Sequence, residues 1–170
     1  MSLNAYCTRL LEAHAGPASF ARSTPVTEQP AWLRSLDKIL NGSIVGVVLF
    51  GSVARGEERV GSDIDMLIVL QPDTVLSRQL YDRWDQLGAG PSLSPHFVHL
   101  PSQVEDVGSL WLEAAIDGIV LLDQDLRIAK VLGKVRREIA RGRFERGMAH
   151  GHPYWKRNEG AGHAQRVAGG

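Results

Sequence analysis

Apolar positions along the chain fall into two kinds of run, and each kind predicts a different element. Two stretches are almost continuously apolar, IVGVVLF from Ile44 to Phe50 and IDMLIVL from Ile64 to Leu70. Short apolar runs rich in β-branched residues suit strands covered on both faces of a sheet. Elsewhere apolar residues recur every three or four positions, the period of a helix with one buried stripe. Leu3, Cys7, Leu10, Leu11 and His14 share such a face, so a helix is expected over residues 3–14. The stretch AWLRSLDKIL from Ala31 to Leu40 returns to helical spacing, and Asn41-Gly42 supplies its stop. Leu76, Leu80, Trp84 and Leu87 define another helical face, with Asp73 placed to cap it and Gly88 to end it. Ser102 and Glu105 have capping-box spacing ahead of a helix carrying Val107, Leu110, Trp111, Ala114 and Ala115. Asp123 is placed to cap a last long helix with Ile128, Val131, Leu132, Val135 and Ile139 on its buried stripe. PHFVHL (Pro95 to Leu100) and Ile119 to Leu122 read as short strands.

This alternation predicts an α/β or α+β sheet-and-helix domain. Gly16 to Pro30 carries Pro17, Pro25 and Pro30 and reads as an extended linker. From Gly142 onward glycines and charges dominate, so loop or disorder is expected there. The expected organisation is an N-terminal helix and linker over 1–30, a core domain over 31–142, and a basic, glycine-rich tail over 143–170. The first segment reads either as an arm that packs on a partner subunit or as the remnant of an upstream domain. Within the tail, His150-Gly-His152-Pro-Tyr-Trp155 reads as a strap pinned by Tyr154 and Trp155. The alternatives are an aromatic cap on a base and, less consistent with the ligand spacing, a zinc site.

Composition narrows the class. Apolar residues make up 44% of the chain, too many for a disordered protein. No apolar run approaches the roughly 18 residues of a membrane span, and the N-terminus lacks the layout of a signal peptide. A cytoplasmic protein is therefore expected. Cys7 is the single cysteine, which excludes an intrachain disulfide and a cysteine-based zinc cluster. The formal net charge of zero conceals a division. Residues 1–126 hold 8 basic and 16 acidic residues, a net of −8, and residues 127–170 hold 11 basic and 3 acidic, a net of +8. The basic end suits either contact with triphosphate, RNA or an acidic partner, or pairing with the chain's own acidic body.

The candidate chemistry lies between the two strand-like runs, in GSVARGEERVGSDID from Gly51 to Asp65. Gly51 permits a tight turn and a close backbone approach to a ligand. Ser52 is an expected N-cap for a short helix through Ala54 and Arg55. The free amides and positive dipole end of a helix start suit phosphate. Asp63 and Asp65 are two positions apart at the opening of a strand and so share a face. Two carboxylates projecting together call for a cation, and hard oxygen donors suit Mg²⁺ or Mn²⁺.

Gly-Ser, ten residues, then Asp-x-Asp resembles the signature of the nucleotidyltransferase superfamily that includes DNA polymerase β and the aminoglycoside nucleotidyltransferases. Ala54-Arg55-Gly56 and Ser62-Asp63 most resemble its minimal branch. The resemblance implies a nucleotidyltransferase fold, a small mixed sheet flanked by helices, that binds ATP or another nucleoside triphosphate through Gly51, Ser52, Arg55 and Ser62. It implies that Asp63 and Asp65 hold divalent metals about 4 Å apart. A nucleotidyl group would then pass to a hydroxyl, with release of pyrophosphate. It further implies, among partners, a helical nuclease-type toxin that minimal members neutralise, an RNA acceptor, or a second copy of the chain.

Active members of the superfamily carry a third carboxylate on a neighbouring strand. No Asp or Glu lies between Asp85 and Glu105, and His96 stands where that carboxylate is expected. A neutral imidazole can hold a metal or accept a proton, so His96 is a candidate catalytic residue. His99, three residues on, is expected on the opposite face. Three functions are compatible with these residues: an active nucleotidyltransferase, a degenerate nucleotide-binding or antitoxin-like module, and a nucleic-acid-binding accessory protein using the basic end.

Overall fold

The computed structural model describes residues 31–57, 62–87, 93–150 and 152–158. The helix expected over residues 3–14 and the proline-containing linker lie outside these residues.

The two continuous apolar runs form the central strands, β1 (Ile44–Phe50) and β2 (Ile64–Leu70). Every residue of β1 is buried. They pair antiparallel, with Phe50 opposite Asp65 and Val48 opposite Leu67. β3 (Leu93–His99) runs parallel to β2, and β4 (Ile119–Asp123) runs antiparallel to β1. The strand order β3-β2-β1-β4 is a mixed four-stranded sheet with β3 and β4 at its edges.

Helices cover both faces, which explains why the central strands have no polar side. On one face lie α1 (Ala31–Ile39) and α3 (Arg78–Gln86). Leu33, Leu36, Leu80 and Trp84 from these helices pack on Ile44, Leu49, Ile68 and Phe97. A short helix, α2 (Gly51–Ala54), joins this layer through Val53. On the other face lie α4 (Ser109–Asp117) and α5 (Arg127–Ala140). Trp111, Leu112, Ile128, Leu132 and Val135 pack on Val45, Val48, Leu67 and Val69. The alternation of faces along β1 and β2 therefore divides one sheet between two apolar cores.

Helix boundaries follow local chemistry, with some departures from the sequence expectation. α1 ends at the predicted stop: Asn41 and Gly42 have φ of 53° and 71°, and the Gly42 amide donates to the Asp37 carbonyl at 2.9 Å. The Asp123 carboxylate accepts from the amides of Ile128 and Ala129, both at 2.8 Å, so it caps α5 as expected. It does so across an interposed 3₁₀ turn, Gln124–Leu126. Ser52 is not the N-cap of α2; Phe50 holds that place and Ser52 sits in the first turn. Asp73 does not cap α3, which starts at Arg78 after Ser77, and Leu76 is left 45% exposed. Ser102 and Glu105 form no capping box on α4: a 3₁₀ turn at Val104–Asp106 intervenes and Gly108 is the N-cap.

The expected C-terminal loop is instead a hairpin, β5 (Phe144–Ala149) and β6 (His152–Arg157), paired from Phe144–Arg157 to Ala149–His152. It is pinned to α4 by the Glu113 carboxylate. Glu113 accepts two bonds from the Arg146 guanidinium, at 3.0 and 2.9 Å, and one from Trp155 Nε1 at 2.7 Å. Phe144 is buried, and Trp155 packs against the same core. Trp155 thus serves as the expected strap, whereas Tyr154 is exposed. The strap carries regular structure because two short polar strands are held by a charged anchor as well as by apolar contact.

Candidate functional site

The antiparallel register of β1 and β2 brings the end of one strand beside the start of the next. Gly51 follows Phe50 with φ of +79°, a left-handed conformation that a side chain strongly disfavours. A second reason for glycine lies across the sheet. A Cβ on Gly51 would stand 2.5 Å from Asp65 Oδ2. The carboxylate of the second acid in Asp-x-Asp therefore rests directly against the Gly-Ser turn. The two halves of the motif, ten residues apart in sequence, form one surface.

α2 begins at that surface. The first-turn amides of any helix find no intrahelical carbonyl, and here they belong to Gly51, Ser52 and Val53. The turn closes through the Glu57 amide, which donates to the Ser52 carbonyl at 2.9 Å.

Asp65 belongs to the face of β2 that carries Leu67 and Val69, and its side chain is 33% exposed. Asp63 precedes the strand and is exposed, and Ser62 beside it is half-buried. On β3, His96 shares the Asp65 side of the sheet. Its Nε2 lies 3.4 Å from Asp65 Oδ1, and its ring packs on Phe50 with centroids 5.6 Å apart. His99 faces the other way, as expected, with Nε2 2.9 Å from the Thr74 carbonyl oxygen. Among the described residues, no three His, Cys, Asp or Glu side chains converge as a metal site. Asp63, Asp65 and His96 accordingly do not close into a three-ligand cage.

Arg55, the C-cap of α2, is engaged by carboxylates. Its Nε donates to Glu57 at 2.7 Å and its Nη1 to Asp117 at 3.4 Å. The hydrogen bond to Glu57, with the charges of Glu57 and Asp117, holds the guanidinium above its usual pKa despite partial burial. Asp117 is one helical turn beyond Glu113 on α4, so that helix ties down both Arg55 and the hairpin's Arg146. Spacing within the motif gave no sign of this. The signal available was the i, i+4 pair of acids on a predicted helix.

Two cavities, of about 610 and 340 Å³, lie elsewhere. The larger is bounded by α3 and Phe97, the smaller by the hairpin and α4.

The donor set fits a hard divalent cation. Asp65 offers a half-exposed carboxylate with a glycine cradle beside it, and His96 offers a ring nitrogen next to one of its oxygens. Water and phosphate oxygens complete the shell of such ions as a rule.

Residues 33–110 match the family model for the nucleotidyltransferase domain. That match, the mixed sheet flanked by helices and the Gly51–Asp65 spacing place this segment in the nucleotidyltransferase superfamily. Among solved structures, the chain is similar to a toxin-antitoxin crystallised with AMP-PNP, at 19% identity and a TM-score of 0.45. That likeness covers 65% of this chain and 90% of the other. It is also similar to the toxin-antitoxin MntA-HepT, at 17% identity and a TM-score of 0.40, covering 65% and 87%. No curated protein matches the chain. No helix among the described residues is long and apolar enough to cross a membrane.

Proposed function

We propose that the protein binds a nucleoside triphosphate with Mg²⁺ or Mn²⁺ at the Gly51–Asp65 surface and transfers a nucleotidyl group to a hydroxyl. One observation carries this reading: the Asp65 carboxylate lies so close to Gly51 that a methyl group there would clash with it. The amides of Gly51 and Ser52, which would take phosphate, and the carboxylate that would hold a cation therefore share one surface.

A bound divalent cation supplies positive charge for the triphosphate and for the attacking oxygen. The chain's own groups do the rest. The first-turn amides and the Ser52 hydroxyl take the phosphate oxygens. Asp65 and Asp63 would hold the cation. The acceptor oxygen bonds to the α-phosphorus and the bond to the bridging oxygen breaks. Pyrophosphate leaves with the electron pair, and the hydroxyl proton goes to water. Arg55, fixed by Glu57 and Asp117, supports the turn and adds positive charge beside it. Ser62 adds a hydroxyl at the start of β2.

A second reading, nucleotide binding without transfer in a sensor or antitoxin-like module, is favoured by one feature. His96 stands in place of the third carboxylate, and no three-ligand cage forms among the described residues. Nucleic-acid binding through the basic end is less favoured. Arg141 and Arg143 pair with Glu138, Arg146 with Glu113, and Arg157 with Asp106.

Incubation with each α-labelled nucleoside triphosphate and cell extract tests the proposal, comparing wild type with Asp63→Ala/Asp65→Ala. Label transferred by wild type alone supports the enzyme, and binding without transfer supports the module. Equal binding and labelling by both proteins would remove the site.

A further inference from the structure

A nitrogen donor lies beside the Asp65 carboxylate, which bears on the choice of cation. Asp65 and His96 reach the same point from adjacent parallel strands. β2 and β3 are in register at Asp65–Ser94 and Leu67–His96, so His96 lies two pairs beyond the acid, on the same face, and its ring reaches back toward it. Its Nε2 is 3.4 Å from Asp65 Oδ1. That distance is long for a hydrogen bond, whose usual range ends near 3.2 Å. It is close to the separation of two neighbouring ligands on one octahedral ion. With bonds of about 2.1 Å at right angles, the two donor atoms stand about 3.0 Å apart. A shift of a few tenths of an ångström would bring both atoms onto one cation.

Access and orientation agree with this placement. The two side chains are each 33% exposed, so a hydrated ion can enter. The Phe50 ring, packed on the imidazole, limits how the ring turns. The flanking acid, Asp63, is exposed and adds negative charge nearby.

We propose that Asp65 and His96 together form a mixed oxygen–nitrogen half-site that takes Mn²⁺ or another first-row transition cation in preference to Mg²⁺. The proposal rests on the metal site assigned above and specifies its ion. Mg²⁺ favours all-oxygen shells and gives up water reluctantly. Imidazole favours transition ions, with affinity rising from Mn²⁺ through Co²⁺. Replacing the expected third carboxylate by His96 therefore removes a hard, charged donor and adds a borderline, neutral one. Both changes weaken Mg²⁺ relative to Mn²⁺.

The test uses the full chain without nucleotide, titrated with Mn²⁺ and followed by the loss of the free-ion electron paramagnetic resonance signal, with Mg²⁺ as competitor. Wild type, His96→Asp, His96→Ala and Asp65→Ala are compared after circular dichroism and thermal melting have shown each to be folded. Wild type is expected to favour Mn²⁺ over Mg²⁺ at least tenfold more than His96→Asp does. Pulsed measurements on bound Mn²⁺ are expected to show nitrogen coupling that both His96 variants lose. If Asp65→Ala abolishes binding while the His96 variants keep the wild-type Mn²⁺ preference and nitrogen coupling, His96 is not a ligand and this inference fails while the site stands. If Asp65→Ala binds both ions as wild type does, or wild type binds neither, the site itself is wrong and the inference falls with it.

Discussion

The Gly51–Asp65 contact shows how two short sequence signals become one surface. Each half of the pattern is legible in the sequence, a glycine and hydroxyl after one strand and two acids at the start of the next. The antiparallel pairing that puts Phe50 opposite Asp65 turns a spacing of ten residues into contact. Gly51→Ala therefore meets two penalties, a φ of +79° and a clash with Asp65 Oδ2. It is expected to destabilise the fold by about 1–3 kcal/mol, read from the denaturant midpoint, and to abolish nucleotide binding. The position of His96 was legible too, because Pro95–Leu100 stands where the superfamily's third-carboxylate strand is expected, and the period of a strand separates His96 from His99. Its separation from Asp65 was not, since it depends on the parallel register of β2 and β3. The partners of Arg55 were likewise hidden, because Asp117 lies 62 residues away in sequence.

At the scale of elements, continuous apolar runs announced β1 and β2, and helical stripes announced the four longer described helices. Capping was less legible. Asp123 caps α5, but the boundaries of α3 and α4 fall several residues after the acids and hydroxyls that the sequence offers. In both, the chain first runs extended or makes a 3₁₀ turn before the apolar stripe meets the sheet. Asp123→Ala removes the acceptor for two amides of α5. It is expected to cost about 1 kcal/mol, seen as a lower denaturant midpoint with an unchanged m-value. The hairpin was missed because FERGMA and HPYWKR lack the apolar alternation that marks a strand. The signal that remained was local: the ladder closes at Ala149–His152, leaving the two-residue connection His150-Gly151, and glycine in such a connection marks a hairpin. Glu113→Ala would free both Arg146 and Trp155 from α4. Amide hydrogen exchange over residues 144–157 is expected to accelerate at least tenfold, with β1 and β2 unchanged. Equal protection in the variant would show that apolar contact alone holds the hairpin.

Over the whole molecule, the opposed charges of the two ends are joined within one body. The acidic members Glu105, Asp106 and Glu113 take up Arg143, Arg157 and Arg146 from the basic end. Exposed pairs of this kind add little stability, but they lower the charge available to a polyanion. Binding to RNA or DNA is therefore expected to be weak at physiological salt, with a shallow dependence of affinity on salt concentration. Filter binding across a salt series checks this. A slope equivalent to six or more phosphate contacts would return the basic end to the front. The central claim is narrower: Gly51, Ser52 and Asp65 form one nucleotide site that depends on a divalent cation. Its most direct measurement is calorimetric titration with a non-hydrolysable nucleoside triphosphate analogue, with and without Mn²⁺, on wild type and Asp65→Asn. Binding by wild type that requires the cation, weakened at least tenfold in Asp65→Asn, is the predicted result. Binding of equal strength without the cation and in the variant would contradict it.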